Sequence, residues 1–388
     1  MRKEWRAESL SEVIKLVSGQ HIEAKDYNIK SRGVGYLTGP SDFGAVNPVV
    51  TKWTEHPKVR ARKGDILITV KGSGVGKINF LDQDDVAISR QLMAIRVTGA
   101  NPRFVYAFLS SIFDHLQSES TGAAIPGISR DQILGLRVSI PPPVEQQRIV
   151  GILDNAFDGI ASAKANAQKN LQNACAIFES HLENVFTEKN DGWLETSIGQ
   201  CIRFIDYRGK TPTKTLDGLR LITAKNVKMG YLRDTPMEFV APSSYDRWMT
   251  RGIPRRGDVL FTTEAPLGNI AQLDTDEKVV FAQRIIIMQP DASSLDSTFL
   301  KYLLLARPTQ QLIKDRATGA TAQGIKASLL KAVRISFPQS LRHQAQIASK
   351  LDALKNETNH LASIYQQKVA TLEALKRSLL HEAFSGNL

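Results

Sequence analysis

The chain has 388 residues, of which 42% are hydrophobic and 23% charged, enough for two or more ordinary cores and unlike the composition of a disordered protein. Its two cysteines, Cys175 and Cys201, stand at no metal-ligand spacing. There is also no basic-then-apolar leader and no apolar run near the roughly 18 residues of a membrane span, so a disulfide framework, a zinc site, secretion and membrane insertion are all disfavoured and the chain reads as cytoplasmic. The formal charge of +11 favours a partner such as nucleic acid.

In chain order, the runs DILITV (65–70), VAISRQLMAIRV (86–97) and LRVSI (136–140) are apolar, β-branched and punctuated by Gly and Asp, which predicts strands. PRFVYAFLSSIF (102–113) has helical spacing. Prolines 141–143 stop this first block. Ile149, Leu153, Ala156, Ile160, Ala163, Ala167, Leu171, Ala174, Phe178, Leu182 and Val185 then recur every three or four residues, one stripe of a long helix. A second block repeats the pattern with DVLFTT, KVVFAQRIIIM, VRISF and the helical DSTFLKYLLLA (296–306). A second helix follows, striped by Ile347, Leu351, Leu354, Thr358, Leu361, Tyr365, Leu372, Leu375 and Leu379. Some forty residues at about 1.5 Å each make each helix a rod of roughly 60–65 Å. Ordinary core helices carry such stripes too, but the length and the duplication predict that the two rods bury each other in a coiled-coil-like pair. Ala156, Ala163, Ala167 and Ala174 would permit close approach at the crossing.

The duplication runs through the whole chain. WRAESLSEVI (5–14) answers WLETSIGQCI (193–202), and RKGDILIT (62–69) answers RRGDVLFT (255–262). STGAAIPGISRDQILGLRVSIP (120–141) answers ATGATAQGIKASLLKAVRISFP (317–338), and the opening of the first long helix answers that of the second. Four patches in the same order mark an internal repeat. The predicted division is 1–143, 144–189, 190–337 and 338–388. Charge follows it: residues 1–143 carry 19 Lys and Arg against 14 Asp and Glu, and 190–337 carry 21 against 15, whereas 144–189 carry 4 against 6.

Motifs for chemistry fail one after another. KGSGVGKIN (71–79) has one residue too few for a phosphate loop and Ile78 where a magnesium-binding hydroxyl belongs, so it reads as a glycine-rich link between strands and a nucleotide hydrolase built on Lys77 is set aside. The seven histidines form no metal pair, and no nucleophile elbow, dinucleotide fingerprint or methyltransferase signature is found. Asp84, Asp85, Asp274 and Asp276 read as solvated loop charges. Neither a catalytic nor a metal residue is assigned.

PPPVEQQRIVGILD and its echo PQSLRHQAQIASKLD, the Thr-Gly-Ala and Gly-Ile upstream of both, and RGKTP (208–212) carry a resemblance that covers the chain. The sequence resembles the specificity subunit of type I restriction-modification systems. The resemblance implies an α+β fold with two β-rich target recognition domains in tandem, each followed by a spacer helix. The helices would pair as an antiparallel coiled coil with pseudo-two-fold symmetry, so that rod length sets the gap in a split, asymmetric DNA site. It implies a subunit without catalysis of its own that binds double-stranded DNA and scaffolds two modification subunits, which bring S-adenosylmethionine and adenine N6 methylation, and restriction subunits, which bring ATP and magnesium. The subunit itself is expected to hold no cofactor. A competing reading keeps the scaffold and drops the DNA, as a decoy that occupies modification subunits.

Phosphate grip and base reading call for cations, amides and aromatics. In the first block the candidates are Lys25, Lys30, Arg32, Tyr36, Lys52, Trp53, Arg60, Lys71 and Lys77. In the second they are Tyr207, Arg208, Lys210, Lys214, Lys225, Asn226, Lys228, Tyr231, Arg247 and Arg251, with Arg208 and Lys210 favoured by their Gly-containing loop. For partner contact the candidates are Glu145, Gln146, Gln147 and Arg148, although a helix cap explains Glu145 nearly as well. In the second copy Arg342-His343-Gln344 replaces Val144-Glu145-Gln146 once one inserted residue is allowed. The glutamate is lost, so the two partner surfaces are expected to be related in fold and unequal in detail.

Overall fold

The structure, a computed structural model, describes residues 5–72, 74–118, 126–187, 192–207, 211–319 and 323–388. The chain forms two compact units, Met1–Ala167 with Gln367–Leu388, and Gln168–Gln366. Both long helices, Pro143–Thr187 and Leu341–Ser385, have 45 residues, and each contributes one stretch to each unit.

In the first unit an antiparallel sheet has the order Ile14–Ser18, Leu92–Val97, Ile66–Thr69, Ile78–Phe80. Side chains of a strand alternate between faces. Ile66, Ile68 and Ile95 enter one core while Leu67, Leu92 and Ala94 enter another. The sheet is buried on both faces, and this is why DILITV is a continuous apolar run with no polar alternation. VAISRQLMAIRV splits into Val86–Ile88 and Leu92–Val97, which join different sheets. The break is a turn in which the Leu92 amide donates to the Ser89 carbonyl at 2.9 Å. Val86–Ile88 pairs in parallel with Val34–Leu37 in a distal sheet of order Trp53–Thr54, Val34–Leu37, Val86–Ile88, Arg60–Ala61.

The second unit repeats this plan. Its doubly buried sheet runs Ile202–Asp206, Ile285–Pro290, Val259–Thr262, Ile270–Gln272. Val259, Phe261, Ile286 and Met288 face one core and Leu260, Ile285 and Ile287 the other. Its distal sheet again holds a parallel pair, Leu219–Ile222 with Val280–Phe281. In each unit a two-stranded ribbon brings the start of the block to its end: Arg6–Ser9 against Arg137–Ile140, and Trp193–Ser197 against Arg334–Pro338. The glycine-rich stretch at 71–77 links Ile66–Thr69 to Ile78–Phe80, closed by Thr69 amide to Lys77 carbonyl and Gly76 amide to Thr69 carbonyl at 2.8 and 3.0 Å.

Each unit packs the start of one long helix against the end of the other, which makes the pairing antiparallel. In the first unit Ile149 and Leu153 share a core with Leu380 and Ala383, Lys164 bonds Glu373 at 2.7 Å, and Phe384 lies 5.2 Å from the Phe104 ring. In the second unit Phe178, Leu182 and Phe186 share a core with Ala348 and Leu351, and Phe186 lies 5.4 Å from Phe299. Phe186 and Phe384 hold the same place in the repeat and do the same work.

The predicted stripes are trimmed. Ala167 and Ala174 are buried, but Ala156 and Ala163 are half-buried, and Leu361 and Leu375 remain 40% and 46% exposed. A pair of helices offers only a narrow seam, so apolar positions at its edge stay uncovered.

A buried glutamine fixes each block to its helix. Gln146 Oε1 accepts the Asn101 amide at 2.7 Å and Nε2 donates to the Pro141 carbonyl at 2.8 Å. Gln344 Oε1 accepts the Asp296 amide at 2.7 Å, and Nε2 donates to the Pro338 and Ser294 carbonyls at 2.7 and 2.8 Å. Gln146 is therefore not a partner contact: it is spent inside the fold, because a buried main-chain amide and carbonyl at the junction need it. Gln146→Ala would leave both without a partner and is expected to cost about 1–3 kcal/mol. Gln344→Ala should cost as much, and the two effects should add because the sites share no partner. Denaturant titration of the three variants measures this; a neutral Gln146→Ala would refute the assignment.

Candidate nucleic-acid interface

The distal lobe of the first unit assembles its candidates around one asparagine. Asn28 Oδ1 accepts the amides of Lys30 and Arg32 at 2.9 and 3.1 Å, and Nδ2 donates to the carbonyls of Arg32 and Trp53 at 2.9 and 3.1 Å. Such side-chain-to-backbone closure holds a turn without a regular ladder. It sets exposed Lys30 and Arg32 beside half-buried Trp53. Lys52 is half-buried and its Nζ donates to Thr38 Oγ1 at 3.2 Å. Lys25 is exposed and pairs with Glu23 at 3.0 Å. Arg60 sits at the far edge of the same sheet, three strands from Trp53, or about 15 Å at the usual spacing. Lys71 and Lys77 are exposed at the ends of the glycine-rich link on the other sheet.

Three candidates chosen for residue type prove to be interior. Tyr36 is 2% exposed, and its hydroxyl accepts the Ile22 amide at 3.2 Å; burial raises its pKa. Tyr207 donates to the Gly252 carbonyl at 2.6 Å and accepts the Arg251 amide at 3.1 Å, again with its pKa raised by burial. Asn226 is buried, accepting the Thr223 amide and hydroxyl and donating to the carbonyls of Arg233 and Pro236. Each is corrected from reader to scaffold for one reason: a polar group that closes a loop from within has no capacity left for DNA.

In the second unit Lys225, Tyr231, Arg247 and Arg251 are exposed and Lys228 is half-buried. Lys214 is exposed and pairs with Glu238 at 2.8 Å. The Arg251 guanidinium donates to the Asp206 carbonyl. Arg208 and Lys210 lie outside the described residues. Arg247 borders a cleft of about 370 Å³ whose other walls include Thr211, Thr213, Thr215 and Ser244. Hydroxyls beside a guanidinium suit a sugar-phosphate chain. Composition singled out only Arg247 here, because threonines and serines carry no charge signal.

Partner candidates at the start of the first long helix also separate. Gln147 is exposed, and Arg148 holds Glu145 through two bonds of 2.7 and 2.8 Å and donates to the Leu388 carbonyl at 2.6 Å. The counterpart of this ion pair is missing in the second copy, where His343 and Gln346 stand at the same places.

At the base of the second block lies an open cleft of about 1030 Å³ lined by Arg203, Arg255, Arg256, Asp258, Gln289 and Arg342, among others. Cys201 is at its wall, its thiol pushed up to about 11 by burial. Asp258 corresponds to Asp65. Both carboxylates accept the amide three residues before them, but Asp65 takes two bonds from Arg96 at 3.0 and 2.7 Å, whereas Asp258 takes one from Gln289 at 2.7 Å. Burial raises the Asp258 pKa against the lowering effect of its hydrogen bonds. Among the described residues no group of three His, Cys, Asp or Glu could hold a metal ion, and no helix is long and apolar enough to cross a membrane.

Two copies of one block, each locked to a long helix and each carrying exposed cations on a distal lobe, define a duplicated binding protein. The model of the type I restriction modification DNA specificity domain matches residues 2–172 and 221–370, and the chain belongs to that family. A putative type I restriction enzyme MjaX specificity subunit of Methanocaldococcus jannaschii is 27% identical over 41% of this chain and 37% of its own length. The type I restriction enzyme EcoBI specificity subunit of Escherichia coli is 20% identical over 74% of this chain and 66% of its own. The chain thus spans less than two thirds of either curated relative. In fold it is similar to a chain from a structure on complex assembly and conformational transition of the type I R-M system, with TM-score 0.81, 20% identity and coverage of 100% and 99%. It is also similar to the HsdS subunit of Thermoanaerobacter tengcongensis, with TM-score 0.60, 20% identity and coverage of 100% and 98%.

A raised carboxylate pKa means that folding favours the protonated form. The Asp258 contribution is therefore present below the pKa of the unfolded carboxylate and lost as pH rises through the folded value. Asp258→Asn keeps an acceptor for both donors without the charge. The variant should melt like the parent at acid pH and higher than it at neutral pH; melting curves across pH 3–8 that show no such divergence would contradict the raised pKa.

Proposed function

We propose that the chain is the sequence-reading subunit of a type I restriction-modification complex, each block reading one half of a bipartite, asymmetric DNA site. One observation carries this reading: the parts the two units share are the core sheets, ribbons and glutamine locks, while the distal turns that bear Lys30 and Arg32 in one unit and Lys214 and Arg247 in the other differ. A common scaffold with two different faces is what two unlike half-sites require. A decoy that merely occupied modification subunits would have no use for two different basic lobes.

In this reading the subunit does no chemistry. Two modification subunits dock along the helices, where Ile177, Leu361, Ile364 and Leu375 are exposed and where Gln147 and the Glu145–Arg148 pair flank the first helix start. They bring S-adenosylmethionine, restriction subunits bring ATP and magnesium, and the assembly works in the cytoplasm. A target adenine must leave the stack to be methylated, so the blocks must grip DNA while it is distorted.

Methylome mapping of a host with and without this chain tests the proposal. Deletion is expected to erase one bipartite N6-methyladenine motif, and the purified modification complex should lose affinity for that motif steeply as salt rises. A methylome unchanged by deletion would sink the reading.

A further inference from the structure

We propose that Leu216 in the second block and Ile29 in the first are apolar wedges that enter the DNA base stack, one in each half-site. The inference rests on the DNA-reading function above. Leu216 is 99% exposed and Ile29 78%. Single exposed aliphatic residues are commonplace; the setting of these two is not.

Both lie in the short link that leads into the same strand of the repeat, the one paired in parallel within the distal sheet, Leu219–Ile222 and Val34–Leu37. Each link ends on a glycine with positive φ, Gly218 at +124° and Gly33 at +89°. Each glycine is pressed onto a neighbouring strand: a Cβ would come 2.4 Å from the Val240 carbonyl oxygen at Gly218 and 2.2 Å from that of Thr54 at Gly33. The links cannot lift away without losing that contact. Further bonds pin them, Thr215 hydroxyl to Asp217 carbonyl at 2.7 Å in one and the four bonds of Asn28 in the other. A side chain held out on a rigid link has little backbone entropy left to lose on binding.

The surroundings choose the occupant. A docking site for a protein would spread apolar surface around the anchor. Here the neighbours are Lys30 and Arg32 beside Ile29, and the hydroxyl-lined cleft with Arg247 beside the Thr215 end of the Leu216 link. One aliphatic group with cationic and hydroxyl groups at its side matches a base step beside a backbone, where wedges such as Leu and Ile part the stack while polar groups hold the chain.

The test uses the complete modification complex and a duplex carrying its methylated motif, with 2-aminopurine placed in turn at each position of both half-sites and a catalytically inactive modification subunit to fix one state. The parent complex should raise fluorescence at one step in each half-site outside the target adenines. Leu216→Ala should abolish the signal in its own half-site only and weaken binding about tenfold, with the slope of log K against log salt unchanged because no phosphate contact is lost. Leu216→Met should restore the signal, and Ile29→Ala should silence the other half-site. The side chains are exposed, so folding is not at stake. Unchanged fluorescence and affinity in Leu216→Ala, or a defect in assembly with the modification subunits in place of DNA binding, would overturn the wedge and leave the DNA-reading proposal standing. A parent complex that bound no motif at all would remove that proposal, and the wedge with it.

Discussion

The fold turns on a side-chain amide buried where three elements meet. A helix N-cap residue uses its side chain on the amides that follow: Asn101 accepts from Arg103 and Phe104, and Asp296 from Phe299. Its own amide is then left inside the protein with no main-chain partner in reach. Gln146 and Gln344 supply the missing acceptor and turn the other end of the same amide on the carbonyl of the strand that closes the block. Apolar contact between block and helix is non-directional and would tolerate rotation or slippage by a residue. A two-ended hydrogen bond does not. The lock even survives the inserted residue of the second copy: Gln146 reaches back five residues to Pro141, and Gln344 reaches six to Pro338 and adds the Ser294 carbonyl.

The division between what the sequence discloses and what it hides follows from range. Strands such as DILITV and RIIIM are legible because burial on both faces writes itself into every residue of the run, and because the repeat states each twice. The long helices are legible from their stripes, although the stripe overstates burial at Leu361 and Leu375, since periodicity does not report how wide the partner is. Tyr36, Tyr207, Asn226 and Gln146 mislead because their partners, Ile22, Gly252, Arg233 and Asn101, are settled by tertiary closure. A tyrosine near a lysine looks the same in a sequence whether its hydroxyl faces water or a main-chain amide. Leu216 is hard to single out for the opposite reason, since composition alone would place a leucine in the core. Its one local signal is the setting Thr-Leu-Asp-Gly, a turn phrase with an aliphatic residue where a polar one is expected.

The two units solve one electrostatic problem in two ways, and this separates equivalence of fold from equivalence of behaviour. Asp65 and Asp258 occupy the same buried corner and take the same main-chain bond. In the first unit the remaining charge meets Arg96, whose own pKa is raised chiefly by its hydrogen bonds to Asp65, and the corner is neutral. In the second unit Gln289 gives a hydrogen bond and no charge. Burial pushes the carboxylate toward protonation, offset only in part by the Arg255 amide, the Gln289 hydrogen bond and the Arg255 charge, and it shares its cleft with Arg203, Arg256 and Arg342. Arg342 is the same residue that breaks the repeat of Val144-Glu145-Gln146. The ion pair between Glu145 and Arg148 in one copy and the arginine-lined cleft in the other are therefore different electrostatic surfaces at corresponding junctions, each just outside a glutamine lock. The two joints thus share the glutamine lock, with one more residue spanned in the second, and differ in the charge that surrounds it.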